Sequence, residues 1–174
     1  MYTKLSVGYG RLWRDPRSID AWSRNPTRQH ACAIDAAGGL ACWGNNSLGQ
    51  TTPPPPWLDA APYGDVAAGY KHTCALDRRG EALCWGDKTY GQTDPPPGPF
   101  TQLSAGMWHT CGLRPDGDVE CWGDHYAGEY TLYDAPPPGA PAAPPPGPYT
   151  QVAAGQWHTC ALRPDGRVEC WYSY

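Results

Sequence analysis

No stretch of these 174 residues is apolar for long enough to span a bilayer. Met1 to Asp20 holds no continuous apolar core followed by small residues, so no signal peptide is expected there. A sustained helical period is missing as well, while 21 glycines and 21 prolines favour turns over helices. Charge is sparse. With 13 basic and 17 acidic side chains, the net charge of −4 exerts no strong pull toward nucleic acid or an anionic membrane. Catalytic signatures are also lacking: there is no G-x-S-x-G, no phosphate-cradling glycine loop with lysine, and no H-E-x-x-H. The expectation is a non-enzyme with no catalytic residue, no cofactor and no metal site.

What the chain has instead is one sentence written several times. Gln151 to Trp171 reads QVAAGQWHTCALRPDGRVECW, Thr101 to Trp122 reads TQLSAGMWHTCGLRPDGDVECW, and Asp65 to Trp85 reads DVAAGYKHTCALDRRGEALCW. A fourth copy is split. It opens at Tyr2 to Gly8 (YTKLSVG) and closes at His30 to Trp43 (HACAIDAAGGLACW), around an insertion at 11–28. Self-similarity at this interval marks a repeat architecture. The units run 1–50, 63–92, 100–129 and 149–174 in a single repeat domain, with proline-rich connectors at 51–62, 94–99 and 135–148. Such tracts read as stiff extended spacers, with use as ligands for aromatic-grooved domains the lesser reading.

Each unit predicts a hairpin. Around Pro115-Asp116-Gly117, proline presets φ at the first turn position, aspartate suits the second, and glycine takes φ > 0 in the third. Glycine holds that loop position in every copy, as Gly38, Gly80, Gly117 and Gly166. Centring each hairpin on its loop sets Cys32 opposite Cys42, Cys74 opposite Cys84, Cys111 opposite Cys121, and Cys160 opposite Cys170. Opposed residues share a face at separations a disulfide can bridge. Reduced thiols and zinc are the competing readings. Zinc is the weaker, since His72, Cys74 and Cys84 supply one ligand too few and lack C-x-x-C spacing. A small-residue strand precedes each hairpin (Val66 to Gly69, Val152 to Gly155), and Trp-Gly with a short loop ending in Gly-Gln follows in two copies. Several strands per unit suggest an all-β protein of radially stacked small sheets, the blades of a propeller.

The pattern A-A-G-x-x-H-T-C-A-L-x-x-D-G-x-V-x-C-W-G-x-x-x-x-G-Q resembles the regulator of chromosome condensation repeat family, most closely a bacterial branch with cysteines at the two hairpin positions. The resemblance implies a β-propeller, usually of seven blades, used as a scaffold for binding other proteins. Members of the family include an exchange factor for a small GTPase and a secreted inhibitor of β-lactamases, so the fold alone does not select a function. Four units fall short of seven. The readings are a fragment or truncated product, an open or four-bladed arc, or copies that associate to complete a ring.

Two positions recur in the frame, and one pair beside the first of them varies. His30, His72, His109 and His158 read as structural hydrogen-bonding groups, one per blade, while His125 lies outside the pattern. Trp43, Trp85, Trp122 and Trp171 end the hairpins on the face opposite their neighbouring cysteines and read as packing between blades. The two residues between the glycine and histidine of each unit vary: Tyr70-Lys71, Met107-Trp108 and Gln156-Trp157. Variable residues in a constant frame are the candidate partner-binding loops of one rim. The insertion carries Arg11, Arg14, Arg17, Arg24 and Arg28 with Trp13 and Trp22, and reads as a solvated loop rather than a nucleic-acid arm.

The function expected from all this is a non-enzymatic scaffold that binds a protein partner through rim loops, with carbohydrate recognition or regulation of a small GTPase as alternatives. Nucleic acid is not an expected partner. Paired cysteines place the chain outside the cytoplasm, in an extracellular, periplasmic or cell-surface setting.

Overall fold

The computed structural model describes residues 1–8, 29–53, 62–123 and 144–172. These hold strands β1 Tyr2–Val7, β2 His30–Asp35, β3 Leu40–Gly44, β4 Asp65–Ala68, β5 His72–Leu76, β6 Ala82–Gly86, β7 Gln102–Ala105, β8 His109–Leu113, β9 Val119–Gly123, β10 Gln151–Ala154, β11 His158–Leu162 and β12 Val168–Tyr172. Consecutive strands pair antiparallel into four three-stranded sheets, β1-β2-β3, β4-β5-β6, β7-β8-β9 and β10-β11-β12, one for each repeat. No helix occurs among the described residues. The arginine-rich insertion 11–28, His125 and most of the connectors 51–62 and 135–148 lie outside the described residues.

Loop chemistry closes the hairpins. The Gly117 N–H donates to the Arg114 carbonyl at 3.0 Å and the Arg114 N–H to the Asp118 carbonyl at 2.8 Å, with Gly117 at φ 91°. That is the three-residue loop with a glycine bulge expected from Pro115-Asp116-Gly117. Asp116 accepts from the Asp118 N–H at 3.1 Å, and Asp165 accepts from the Arg167 N–H at 3.0 Å. These two carboxylates therefore serve the turns. The register sets the cysteines opposite each other as expected, and all four pairs are disulfides with Cα separations of 4.0–4.1 Å. With every sulfur in a disulfide, the thiol and zinc readings fall away.

A three-stranded sheet this small buries little by itself. Its core forms against the next sheet in sequence. Cys32, Ile34, Val66, Ala75 and Trp85 fill the first seam, with Tyr63 against them. Cys74, Leu76, Phe100, Leu103 and Trp122 fill the second. Cys111, Leu113, Tyr149, Val152 and Trp171 fill the third. In every seam the disulfide face of one blade meets the tryptophan of its successor. The opening strands β1, β4, β7 and β10 lie side by side in that order.

The lead-in to each blade docks on the turn of the blade before. The N–H groups of Tyr63, Phe100 and Tyr149 donate to the carbonyls of Gly38, Gly80 and Gly117 at 3.0, 2.8 and 2.8 Å. Arginine then clasps the tract from its own blade. Arg114 donates to the Pro97 carbonyl at 3.0 Å and stacks 4.7 Å over Phe100. Arg163 repeats this on the Pro146 carbonyl, at 2.9 Å, and on Tyr149. The Arg163 guanidinium and the Tyr149 hydroxyl hold the Glu169 carboxyl down at about 2, while burial and that same carboxylate push Tyr149 up to about 12.

Candidate functional site

The repeated histidine works at the seam. His30 Nε2 lies 2.8 Å from Thr73 Oγ1, His72 Nε2 lies 2.8 Å from Thr110 Oγ1, and His109 Nε2 lies 3.0 Å from Thr159 Oγ1, each threonine on the following blade. The Thr73 hydroxyl donates to the Gln50 carbonyl at 2.8 Å. Its oxygen is then the acceptor for His30, which fixes the Nε2–H tautomer. The same Gln50 carbonyl takes the Trp85 Nε1–H at 3.0 Å, and the Gln92 carbonyl takes that of Trp122 at 3.2 Å. Each Gln side chain in turn ties down its own loop: Gln50 accepts from the Leu48 N–H at 2.9 Å, and Gln92 from the Tyr90 N–H at 2.8 Å. The Gly-Gln ending seen in the sequence is thus the device that presents a carbonyl to the next blade.

Burial holds the His30 and His72 rings neutral. Loss of water pulls His30 down to about 4, and for His72 loss of water and the neighbouring His109 and His30 rings pull it to about 3. Neutral imidazoles hydrogen-bonded to threonines leave no poised base at these two positions. Each ring rests on the glycine of its own unit. A Cβ on Gly106 would lie 2.3 Å from His109 Cε1 and 2.6 Å from the Gly155 carbonyl oxygen of the following blade. Only glycine permits both approaches.

The variable pairs divide by position. Tyr70 and Met107 are 8% and 2% exposed and turn into the seams. Met107 receives the Gln156 amide on its sulfur at 3.5 Å. Lys71, Trp108, Gln156 and Trp157 are half-buried. The structure brings Tyr70, Lys71 and Trp108 together and adds Tyr90, which the sequence does not single out. Trp108 meets Tyr70 and Tyr90 edge-on, both at 5.2 Å between ring centroids, and Lys71 Nζ sits 5.3 Å over the Tyr70 ring. This patch straddles the second and third blades. Its hint in the sequence is the variable Asp87-Lys88-Thr89-Tyr90 loop before the constant Gly-Gln.

Small antiparallel sheets joined face to face in sequence order, with their opening strands side by side, define a β-propeller architecture. The family follows from the repeat. The Regulator of chromosome condensation (RCC1) repeat matches residues 65–92, 100–129 and 149–171, so three of the four units are repeats of that family. A comparison with curated proteins finds no match. Among solved structures, the ectodomain of the Physcomitrella patens receptor kinase CR4 is 27% identical with a TM-score of 0.60, covering 98% of this chain and 40% of that one. The CRINKLY WD40 ectodomain of the Arabidopsis thaliana receptor kinase ACR4 is 20% identical with a TM-score of 0.59, covering 98% of this chain and 49% of that one. Prp20p from Saccharomyces cerevisiae, described for its binding to Gsp1p and histones, is 20% identical with a TM-score of 0.57, covering 82% and 42%. The chain spans half or less of the length of these proteins.

Proposed function

We propose that this chain is a non-enzymatic propeller scaffold that binds a protein partner through the rim patch of Trp108, Tyr90 and Lys71, backed by the buried Tyr70. The observation that carries this reading is the edge-on clamp on Trp108. Two tyrosines from one blade hold a tryptophan of the next, so its rotamer is settled before any partner arrives. A pre-ordered, amphipathic aromatic beside a lysine has the make-up of a binding hot spot, and it loses little side-chain entropy on contact. The scaffold beneath repeats the same three-stranded sheet in each unit, whereas the rim residues vary. Among the described residues no helix is long and apolar enough to cross a membrane. Four disulfides support an oxidising setting, extracellular or at a cell surface, and the likeness to the CR4 ectodomain accords with it.

The test is parallel capture from an extracellular extract on oxidised wild-type, Trp108→Ala and Tyr90→Ala chains. A protein retained by wild type and lost at least about tenfold by Trp108→Ala is the expected result, since one hot-spot aromatic carries that much. Equal retention by all three chains overturns the assignment to this rim. Binding to a glycan array that depends on Trp108 would replace the protein partner with a sugar.

A further inference from the structure

The rim patch has a second anchor point on the neighbouring seam. In the described loops that join strands, two large apolar side chains are exposed, Leu48 at 45% and Tyr90 at 40%. They hold the same place in the repeat, two residues before the glutamine of the Gly-Gln ending. The Leu48 N–H donates to Gln50 Oε1 at 2.9 Å as the Tyr90 N–H donates to Gln92 Oε1 at 2.8 Å. Both loops then dock on the following blade in one way. A Cβ on Gly86 would lie 2.5 Å from the Lys71 carbonyl oxygen and 3.1 Å from Gln50 Cβ. One on Gly123 would lie 2.4 Å from the Trp108 carbonyl oxygen and 3.1 Å from Gln92 Cα. In the repeat, Leu48 stands to Lys71 as Tyr90 stands to Trp108. Tyr90 has a blade on either side and stays open, so a neighbouring blade does not cover this position.

Lys71 links the two anchor points. Its backbone meets the Gln50 loop at Gly86, and its Nζ sits 5.3 Å over the Tyr70 ring, which in turn contacts Trp108. Among the described residues it forms no ion pair. The Asp87 N–H donates to the Lys71 carbonyl at 2.9 Å, but the Asp87 carboxylate is engaged by the N–H and hydroxyl of Thr89.

We infer that this rim takes an extended acidic segment of a partner protein, laid across two successive seams. One apolar side chain of the segment packs on Leu48, another on Tyr90 and Trp108, and a carboxylate between them meets Lys71. The inference rests on the rim reading above and specifies its occupant. A lysine half-buried against an aromatic ring forms a charge-assisted hydrogen bond with a carboxylate and repels a basic segment. Two partly exposed side chains make up a small part of the roughly 800 Å² that a globular partner covers. A narrow strip of chain reaches both without a broad face.

Fluorescence anisotropy of the oxidised full chain against synthetic peptides tests this. Each peptide carries two leucines around a central glutamate, joined by glycine-serine spacers of graded length, and a matched set has lysine at the centre. Wild type binds glutamate-centred peptides over a narrow range of spacers, about three- to tenfold more tightly than lysine-centred ones. Leu48→Ser and Trp108→Ala each weaken that binding at least about fivefold. Lys71→Glu reverses the preference, so that lysine-centred peptides bind better. Leu48 and Lys71 lie outside the seam cores, so the fold tolerates both changes. Binding that needs Trp108 but ignores Leu48→Ser and Lys71→Glu overturns the acidic two-seam occupant and leaves the Trp108 surface standing. Binding indifferent to Trp108→Ala overturns both. A wild-type chain that binds none of the peptides overturns the extended occupant alone, since capture from the extract judges the rim separately.

Discussion

Trp122 and Trp43 occupy the same place in the repeat, end the same kind of hairpin and neighbour the same kind of disulfide. Trp122 is buried and gives its indole N–H to the Gln92 carbonyl, while Trp43 is 46% exposed and touches Tyr2 at 6.5 Å between ring centroids. The difference lies in what stands beside each blade. Among the described residues the second and third blades are covered on both faces, and the first and fourth on one. Stability in this protein is thus a property of seams, with each blade acting as half of two of them, as expected for an array whose units contact only their neighbours.

Truncation tests that contrast most sharply. Trp122→Ala is expected to cost about 3–5 kcal/mol, from lost burial and an orphaned carbonyl, and Trp43→Ala under about 1 kcal/mol. Chemical denaturation of the two variants measures both, and equal losses would mean that seams do not decide stability.

Paired cysteine removal comes next. All four loops have a sequence separation of 10, so the chain-entropy model assigns each bridge about 2.5–3 kcal/mol. Cys74 is fully buried in a seam, whereas Cys170 is exposed. Replacing Cys74 and Cys84 by alanine should therefore cost more than replacing Cys160 and Cys170. Identical costs would assign the whole effect to the unfolded chain.

Acid sharpens the comparison through the buried rings. His30 and His72 titrate lower in the folded than in the unfolded chain, so the unfolded state takes up protons first as pH falls below 6.5. Stability is complete above that value and is lost on the way down toward about 4 for His30 and about 3 for His72. Between pH 6.5 and 4.5 the loss is about 2 kcal/mol per ring. Denaturation midpoints across this window should show it, and His72→Gln should flatten the profile.

A smaller effect is expected of Thr110→Ala, about 1–2 kcal/mol by chemical denaturation, because it leaves the buried His72 Nε2 without its hydrogen-bond partner.

Much of this was legible in the residues. The turn glycines fixed the hairpin centres, and from those centres the opposition of Cys111 and Cys121 follows by counting. The role of histidine as a structural hydrogen-bonding group was readable from its recurrence. Its partner was not, because Thr110 lies 38 residues from His72 and a repeat cannot say which neighbour a side chain reaches. The rim pairs show the same limit. Variation marks Tyr70-Lys71 and Met107-Trp108 as loop residues, yet only the backbone path decides that Tyr70 and Met107 turn into the seam while Lys71 and Trp108 stay half-buried. Tyr90 enters the patch from a different loop. Its proximity to Trp108 is a product of the docking of blades, which local sequence does not encode. The aromatic at Tyr63, Phe100 and Tyr149 follows a proline each time, a regularity that could have marked the lead-in clasp.

Every disulfide stays inside its own blade and none crosses a seam. For a chain that emerges from a ribosome or a translocon end first, each cysteine meets its rightful partner as the next thiol to appear. Eight cysteines admit roughly a hundred pairings, but here every bridge joins two cysteines only ten residues apart, so each is a local choice made within one hairpin. The same wiring makes the blade a transferable cassette. Duplicating one, or deleting one, leaves no thiol stranded, so an array of this kind can lengthen or shorten in evolution without relearning its oxidative folding.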